Sequence, residues 1–378
     1  MKVALVHDYL TQRGGAERVA LQFCRAYPGA PLYTSLYDAA GTYPDFAEVD
    51  VRCGPLQRLA PARRDPRLAL PLLAPAWDRT VVSDDAEALL ISSSGWAHGV
   101  AGPPDVPTVV YCHNPPRWLH QPDIYLTGAA ERTAMRLLRP HLLRWDRRAA
   151  RRAHTYLANS NVVADRIREA YDIDAQVVHP PVTIDAAGEQ APVAGIAPGF
   201  FLTVSRARGY KNVARVAEAV ASIPGAELVV IGSGTPDEEP APNVRWLGLV
   251  SDAELRWLYA HATALVTVAF EDFGLTPLEA NAFGTPVAAL RAGGHLDSVV
   301  EGVSGSWIEE PTAASVRDTL VSLPSFDRRA VLEHAAGFSL DAFTRRIDDV
   351  LRTATGRRVA VASATRRRGE PRPTAAAA

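Results

Sequence analysis

The sequence predicts an α/β protein built as two doubly wound domains, and three observations carry that expectation. Short β-branched runs alternate with helical patterns along nearly the whole chain, as they do where helices connect parallel strands. A length of 378 residues suits two domains at roughly 100–200 residues each. A stretch rich in Ala, Gly and Pro, beginning at Pro180-Pro181, separates two such series and has the character of a linker.

In the first series, strands are expected at residues 2–7, 31–35, 88–92, 107–112, 155–158 and 176–179. Helical patterns fall at 16–25, 130–152 and 161–170, the last with Ser160 placed as N-cap. In the second series, strands are expected at 200–204, 227–231, 244–247, 264–268 and 286–289. Helices are expected at 212–222, 252–261, 277–283, 313–323 and 340–352. The expected division is an N-terminal domain over 1–185, a linker over 186–199 and a C-terminal domain over 200–339. A helix over 340–355 should pack back towards the N-terminal domain, followed by a disordered basic tail over 356–378. Two such domains leave a cleft at the carboxyl ends of their strands, where ligands of open α/β sheets bind.

Composition excludes several classes. At 47% hydrophobic and 22% charged, the chain has the make-up of a soluble globular protein. Cys24, Cys53 and Cys112 are odd in number and scattered, which argues against a disulfide framework or zinc site and for a reducing compartment. The apolar start is too short for a signal peptide. The uncharged segment 68–77 holds ten residues and two prolines, whereas a membrane span needs about 20. A cytoplasmic location is expected.

Charge is unevenly spread. The chain is −2 overall, yet residues 356–378 contain six arginines and one glutamate, so residues 1–355 carry −7. Within that acidic body, the segment from Arg132 to Arg152 holds eight arginines against Asp146. Such a helix can be a plain solvated face, or it can contact an anionic membrane surface together with the tail. Nucleic acid is not expected, because the body is acidic. Of the 40 basic side chains only Lys2 and Lys211 are lysines, so Lys211 is the one interior position with a compact ammonium in place of a guanidinium.

Four stretches have the pattern of chemistry. The segment Glu271-Asp272-Phe273-Gly274-Leu275-Thr276-Pro277-Leu278-Glu279 follows a strand and opens a helix, with Thr276 as expected N-cap and Pro277 at the first position. The turn at Phe273, Gly274 and Leu275 can aim backbone N–H groups at phosphate or sugar oxygens. Thr276-x-x-Glu279 is also a capping box, which alone accounts for that glutamate. Glu271 has no such local role. A carboxylate pair also fits a glycosidase, whose required separation sequence cannot establish. The stretch Ser205-Arg206-Ala207-Arg208-Gly209-Tyr210-Lys211-Asn212 brings two cations to a helix start, where the dipole does not favour them; they are either plain surface cations or the two sides of an anion site that a diphosphate would fill. Gly14 and Gly15, between the first strand and helix, permit close backbone approach to a ligand. His113 lies at a strand's carboxyl end in Tyr111-Cys112-His113-Asn114-Pro115-Pro116-Arg117. Gly232-Ser233-Gly234 fails as a dinucleotide fingerprint because position 237 is Asp, and Asp172-Ile173-Asp174 reads as a solvated turn.

Together these stretches resemble the retaining glycosyltransferases of family 4, which have the GT-B fold, over Met1 to about Arg352. The family's Glu-x7-Glu signature is Glu271…Glu279 here. Ser205 stands where glycine is frequent. Within the family, His7-Asp8-Tyr9-Leu10, Gly14-Gly15-Ala16-Glu17-Arg18 and the His113 segment resemble the GDP-mannose-dependent mannosyltransferases of surface-polysaccharide synthesis. Many of those read His-Thr-Pro at His113-Asn114-Pro115.

The resemblance implies a nucleotide-sugar donor, a lipid-linked or oligosaccharide acceptor chosen by loops within residues 54–79, and no cofactor or metal. It places the enzyme in the cytoplasm or at the inner membrane face. Glu271 and the backbone at Phe273, Gly274, Leu275 and Thr276 would hold the transferred sugar, and Glu279 the ribose. Arg206 and Lys211 would neutralise the diphosphate, and His113 would reach the sugar from the opposite domain. Gly14 and Gly15 would approach the diphosphate or acceptor, and Val250 would border the base. Other readings are a different hexose donor, a GT-B epimerase, a phosphorylase and a non-enzymatic nucleotide-sugar binder. A phosphorylase needs a pyridoxal lysine, for which neither lysine has a setting, and two carboxylates with two cations disfavour a mere binder.

Overall fold

The computed structural model describes residues 1–82, 85–103, 105–122, 128–205, 211–233 and 241–368, without the side chains of 67, 70, 71, 129–131, 134, 205 and 357–368. The chain divides into two compact units. Unit 1 comprises Met1–Asn159, Val163–Val178 and the chain from Thr344 on, and unit 2 comprises Ser160–Val162 and His179–Phe343.

Unit 1 holds a seven-stranded sheet, all parallel, in the order β3-β2-β1-β4-β5-β6-β7. The strands are β1 Val3–His7, β2 Leu32–Thr34, β3 Val51–Cys53, β4 Ala88–Ser93, β5 Thr108–Cys112, β6 Thr155–Ala158 and β7 Gln176–Val177. Every residue of β1 and β4 is buried, as expected where helices cover both faces of a parallel sheet. The order reverses between β1 and β4, which pair in register from Val3↔Ala88 to His7↔Ser92.

Unit 2 holds six parallel strands in the order β10-β9-β8-β11-β12-β13. They are β8 Phe201–Ser205, β9 Leu228–Gly232, β10 Val244–Gly248, β11 Ala264–Thr267, β12 Val287–Leu290 and β13 Gly305–Ile308. Alternate strand residues feed two separate cores. Phe201, Leu228, Val230, Val266 and Ala288 pack with Val216, Val220, Val316 and Leu320 of the helices Val213–Ala221 and Ala313–Val321. Leu202, Val229, Ile231, Leu265 and Ala289 pack with Trp257, Leu258 and Ala280 of the helices Asp252–His261 and Leu275–Asn281. The period of two along each strand is what divides one sequence between two faces.

Several expectations need correction. The edge strands β3 and β13 were not apparent, because three or four residues with mixed polarity carry little periodicity. Residues 54–79, expected as loops, contain the helix Leu70–Asp78. The last helix runs Leu340–Arg368, so residues 356–368 are helical where disorder was expected. Alanine and arginine are strong helix formers, and they extend a helix already anchored by the buried Ile347 and Leu351 without further apolar periodicity. Residues 369–378 lie outside the described residues.

The basic helix Ala129–Ala150 is held by one buried carboxylate. Asp146 is fully enclosed, with His120 Nε2 at 2.8 Å from Oδ2 and His98 Nε2 at 3.0 Å from Oδ1. Trp96, Trp118 and Trp145 pack edge to face around this cluster. Burial pushes the Asp146 carboxyl upward, but the two imidazoles outweigh it and hold the group below its usual value. That stabilisation is present above the ordinary carboxylate range and is lost as pH falls through the depressed value. Asp146→Asn should therefore destabilise the protein by about 3–5 kcal/mol at neutral pH. Thermal unfolding followed against pH should show the difference from wild type shrinking in acid.

Candidate functional site

In unit 2 the strand order reverses between β8 and β11, and ligands of doubly wound sheets bind at such reversals. The segment after β8 ends in Lys211 and in Asn212, a left-handed residue (φ +50°) that caps the helix Val213–Ala221. The segment after β11 carries Glu271. The structure brings these two turns together: Lys211 Nζ forms an ion pair with Glu271 Oε1, and Asn212 Nδ2 donates to the Val268 carbonyl at 3.3 Å. The Lys211 and Glu271 side chains are 15% and 19% exposed, so the pair is largely shielded but reachable. Arg206 lies outside the described residues.

Beyond Glu271 the chain turns through Phe273, whose ring is buried and stacked 5.3 Å from His179, leaving its backbone at the turn. Gly274 then takes φ +86° and starts the helix Leu275–Asn281. Thr276 is therefore inside the helix and not its N-cap, and no side chain caps this end. The positive φ open to glycine starts the helix earlier than the Thr-Pro signal suggests. Glu279 consequently lies past the first turn and forms no capping box. It is 6% exposed and accepts a 2.9 Å hydrogen bond from Tyr259 Oη. The local explanation for this glutamate is removed. Val250, just after β10, packs partly buried against the core that contains Trp257.

His295 was missed by sequence reasoning. It is fully buried behind the Glu271 turn, with Nδ1 3.2 Å from the Leu290 carbonyl and no hydrogen-bond partner for Nε2 among the described residues. Burial pushes its pKa down; Glu271 and the Leu290 carbonyl oppose that shift, and Lys211 adds to it. The preceding glycines make the approach possible: Gly294 N donates to the Glu271 carbonyl at 2.9 Å, and a Cβ on Gly293 would stand 2.6 Å from that same oxygen. The readable signal was Gly293-Gly294 in the short turn after a strand, a glycine pair between strand and helix as at Gly14-Gly15.

In unit 1 the corresponding reversal lies between β1 and β4. Asp8, just past β1, is buried and accepts from the backbone N–H groups of Ser94 (2.6 Å), Gly95 (2.8 Å) and Ala97 (2.7 Å), which ties the two strand ends together. Gly14 caps the helix Gly15–Ala26 through its backbone alone. A Cβ at Gly14 would collide with Glu17 Oε2, so this glycine makes room for a buried carboxylate as well as for any ligand. His113, at the end of β5, is 8% exposed with Nε2 2.8 Å from Ser92 Oγ. Burial, and after it the neighbouring His7, pushes its pKa down to about 3, so its imidazole is neutral at physiological pH. Among the described residues, no three His, Cys, Asp or Glu side chains cluster to hold a metal.

Gly274 offers a test of this turn. A Cβ there would stand 2.7 Å from His295 Cδ2, whereas one at Gly225, with φ +77°, would meet nothing within 4 Å. Gly274→Ala should lower the melting temperature by more than Gly225→Ala, which carries only the backbone strain of about 1 kcal/mol. Equal shifts would show that the ring behind the turn moves freely.

Comparison with known proteins follows the same two-part division. Residues 13–186 match the model described as Glycosyltransferase Family 4, and residues 197–325 match the one described as Glycosyl transferases group 1. Among curated relatives, D-inositol 3-phosphate glycosyltransferase of Mycobacterium sp. (strain JLS) is 29% identical over 216 residues, covering 50% of this chain and 49% of that protein. The Mycobacterium marinum protein of the same name is 32% identical over 231 residues, covering 53% and 48%. The chain thus spans about half the length of these relatives. Among solved structures, Anabaena Alr3699/HepE in complex with UDP superposes with a TM-score of 0.66 at 19% identity, over 93% of this chain and 100% of that one. WaaG, a glycosyltransferase involved in lipopolysaccharide biosynthesis, gives 0.59 at 16% identity over 92% and 99%. Residues 13–186 are thus similar to a family 4 glycosyltransferase domain and residues 197–325 to a group 1 glycosyltransferase domain, and the parallel sheets of seven and six strands with these superpositions show the GT-B fold.

Proposed function

We propose that the protein is a retaining hexosyltransferase that uses a nucleotide sugar, GDP-mannose by preference, and a lipid-linked or oligosaccharide acceptor in surface-glycan synthesis. The observation that carries this reading is the Lys211–Glu271 ion pair at the strand-order reversal of unit 2. A cation and a carboxylate that neutralise each other in the free protein have separate tasks once a donor is bound. Lys211, with Arg206, meets the diphosphate, and Glu271 turns to the hydroxyls of the transferred sugar. The backbone at Phe273, Gly274, Leu275 and Thr276 supports that sugar. Glu279, held by Tyr259, takes the ribose, Val250 borders the base, and His113 acts on the sugar. Gly14 and Gly15 approach the diphosphate or acceptor.

In the reaction, the bond from the anomeric carbon to the diphosphate oxygen breaks as the bond to the acceptor oxygen forms on the same face. The acceptor's proton passes to the departing diphosphate. Fixed cations stabilise the charge that develops there, the term that dominates many enzymatic accelerations. No metal is required in this reading, because the cations fill that place. Mixing the protein with GDP-mannose, UDP-glucose, UDP-GlcNAc or ADP-glucose and a lipid acceptor extract should release nucleotide with one donor, undiminished by a chelator. The proposal fails if no donor releases nucleotide or raises the melting temperature. Lys211→Ala should lower kcat/KM by roughly 10²–10³-fold, as loss of one electrostatic contact to a transition state does. Because Glu271 is then left mostly buried without its counter-charge, the variant should also lose about 1–3 kcal/mol of stability while the fold survives, which the melting temperature checks.

A second donor reading is a UDP-hexose, since the structurally similar HepE is known in complex with UDP-glucose. The name shared by the curated relatives adds an inositol phosphate to the acceptors to be tried. An epimerase of the same fold would interconvert the donor without any acceptor, and a mere binder would release nothing.

A location at the inner membrane face, without nucleic acid as partner, completes the proposal. It is supported by the helix Ala129–Ala150, where Arg132, Arg136, Arg144, Arg147 and Arg148 are exposed beside Leu137, itself 78% exposed. No helix among the described residues is long and apolar enough to cross a membrane. Binding to vesicles containing an anionic phospholipid should weaken as salt rises and when residues 356–378 are deleted. Binding indifferent to salt would exclude an electrostatic contact.

A further inference from the structure

The ends of β1, β4 and β5 and the first turn of the helix Gly15–Ala26 carry a line of buried polar groups, of which only His113 has a role above. Glu17 Oε1 accepts from Gln12 Nε2 at 2.9 Å and faces His7 Nε2 at 4.0 Å. On the other side of that ring, His7 Nδ1 is 2.9 Å from Ser92 Oγ. Ser92 Oγ is in turn 2.8 Å from His113 Nε2. His7, Glu17 and Ser92 are each 1% exposed, so water does not rearrange the line freely.

Ser92 has a single hydroxyl proton, and that constraint couples the two imidazoles. If Ser92 donates to His7 Nδ1, it accepts from His113 Nε2–H, and His113 Nδ1 carries a lone pair. If Ser92 donates to His113 Nε2, every proton reverses and His113 presents Nδ1–H. Glu17 distinguishes the two. Its Oε1 is already an acceptor from Gln12, so His7 is favoured with Nε2–H directed at it. The reversed line would set a ring lone pair against a carboxylate oxygen in a dry interior, where like partners repel most strongly.

We infer that Glu17, acting through His7 and Ser92, fixes His113 in the Nε2–H tautomer, so that His113 Nδ1 serves as a hydrogen-bond acceptor for a hydroxyl of the substrate. Glu17, His7 and Ser92 are positioning residues, because each acts through the next ring or hydroxyl. The neutral state of His113 is what allows a tautomer to matter, since a charged ring would donate from both nitrogens. Gly14 belongs to the same device, because a side chain there would displace the Glu17 carboxylate. The role of the Nδ1 acceptor towards substrate rests on the transferase reading, whereas the tautomer itself does not.

The test is long-range proton–nitrogen NMR on the full chain labelled with ¹⁵N-histidine, with His113→Gln and His7→Gln used to assign the rings. The expected result is an unprotonated Nδ1 and a protonated Nε2 on His113 in the wild-type protein. In Glu17→Gln the negative charge that favours Nε2–H on His7 is gone, so the preference weakens and the Nδ1–H form of His113 should gain population. In a Ser92→Ala background the same substitution should no longer move the His113 signals. Turnover of Glu17→Gln should fall by roughly 10- to 100-fold, the usual size for a second partner that orients a histidine. A wild-type His113 with Nδ1–H, or a His7 protonated on both nitrogens, overturns the inference even if Glu17→Gln does not fold. So does a folded Glu17→Gln protein with unchanged His113 signals. The expected tautomer in a protein inactive with every donor would sink the transferase reading and leave this coupling standing.

Discussion

A parallel hydrogen-bond ladder lines up the carboxyl ends of its strands, and the polar groups in this protein depend on that alignment. In unit 1, His7↔Ser92 is a ladder partnership between β1 and β4, and His113 follows the last residue of the adjacent β5. In unit 2, the segments after β8 and β11 are neighbours because those strands pair directly, which is why Lys211 can meet Glu271 sixty positions away. Both sheets are covered by helices on their faces, so backbone and side-chain polarity has an outlet mainly at these ends.

The two units use that outlet differently. Unit 2 presents opposite charges in a shielded but accessible pair, with the buried His295 packed behind the turn. Desolvation of two mostly buried charges offsets much of their attraction, so the value of the pair lies in what each member can do when a ligand separates the two. Unit 1 buries neutral and charged acceptors in a line whose protons are mutually constrained. There the physical currency is the direction of each hydrogen bond, because a dry interior makes a misdirected proton costly.

Much of this was legible in the residues, and the failures have identifiable causes. The strands at the centre of each sheet were readable because five or so consecutive β-branched or apolar residues leave little ambiguity. The edge strands β3 and β13 are short and mixed in polarity, so pairing with a neighbour defines them more than their own composition does. Thr276-Pro277 is a sound helix-start signal, but Gly274 offers a conformation that begins the helix earlier, and only the folded backbone reveals that choice. Glu279 had a satisfactory local explanation as a cap. Its bond to Tyr259 connects two helices whose proximity is a tertiary fact. His295 was invisible because a lone histidine after two glycines carries meaning only once the Glu271 turn is seen lying against it.

The sequence by itself determined the class, two doubly wound α/β series, and the particular side chains capable of chemistry: Glu271, Glu279, Lys211 and His113. It could do so because periodicity, turn chemistry and charge are local properties that a single chain displays. Tertiary structure alone decided the partnerships, Lys211 with Glu271, Tyr259 with Glu279, and Glu17 with His7, Ser92 and His113. Those depend on which strands pair and in what register, and that is settled by the packing of whole helices against whole sheets and not by any one segment.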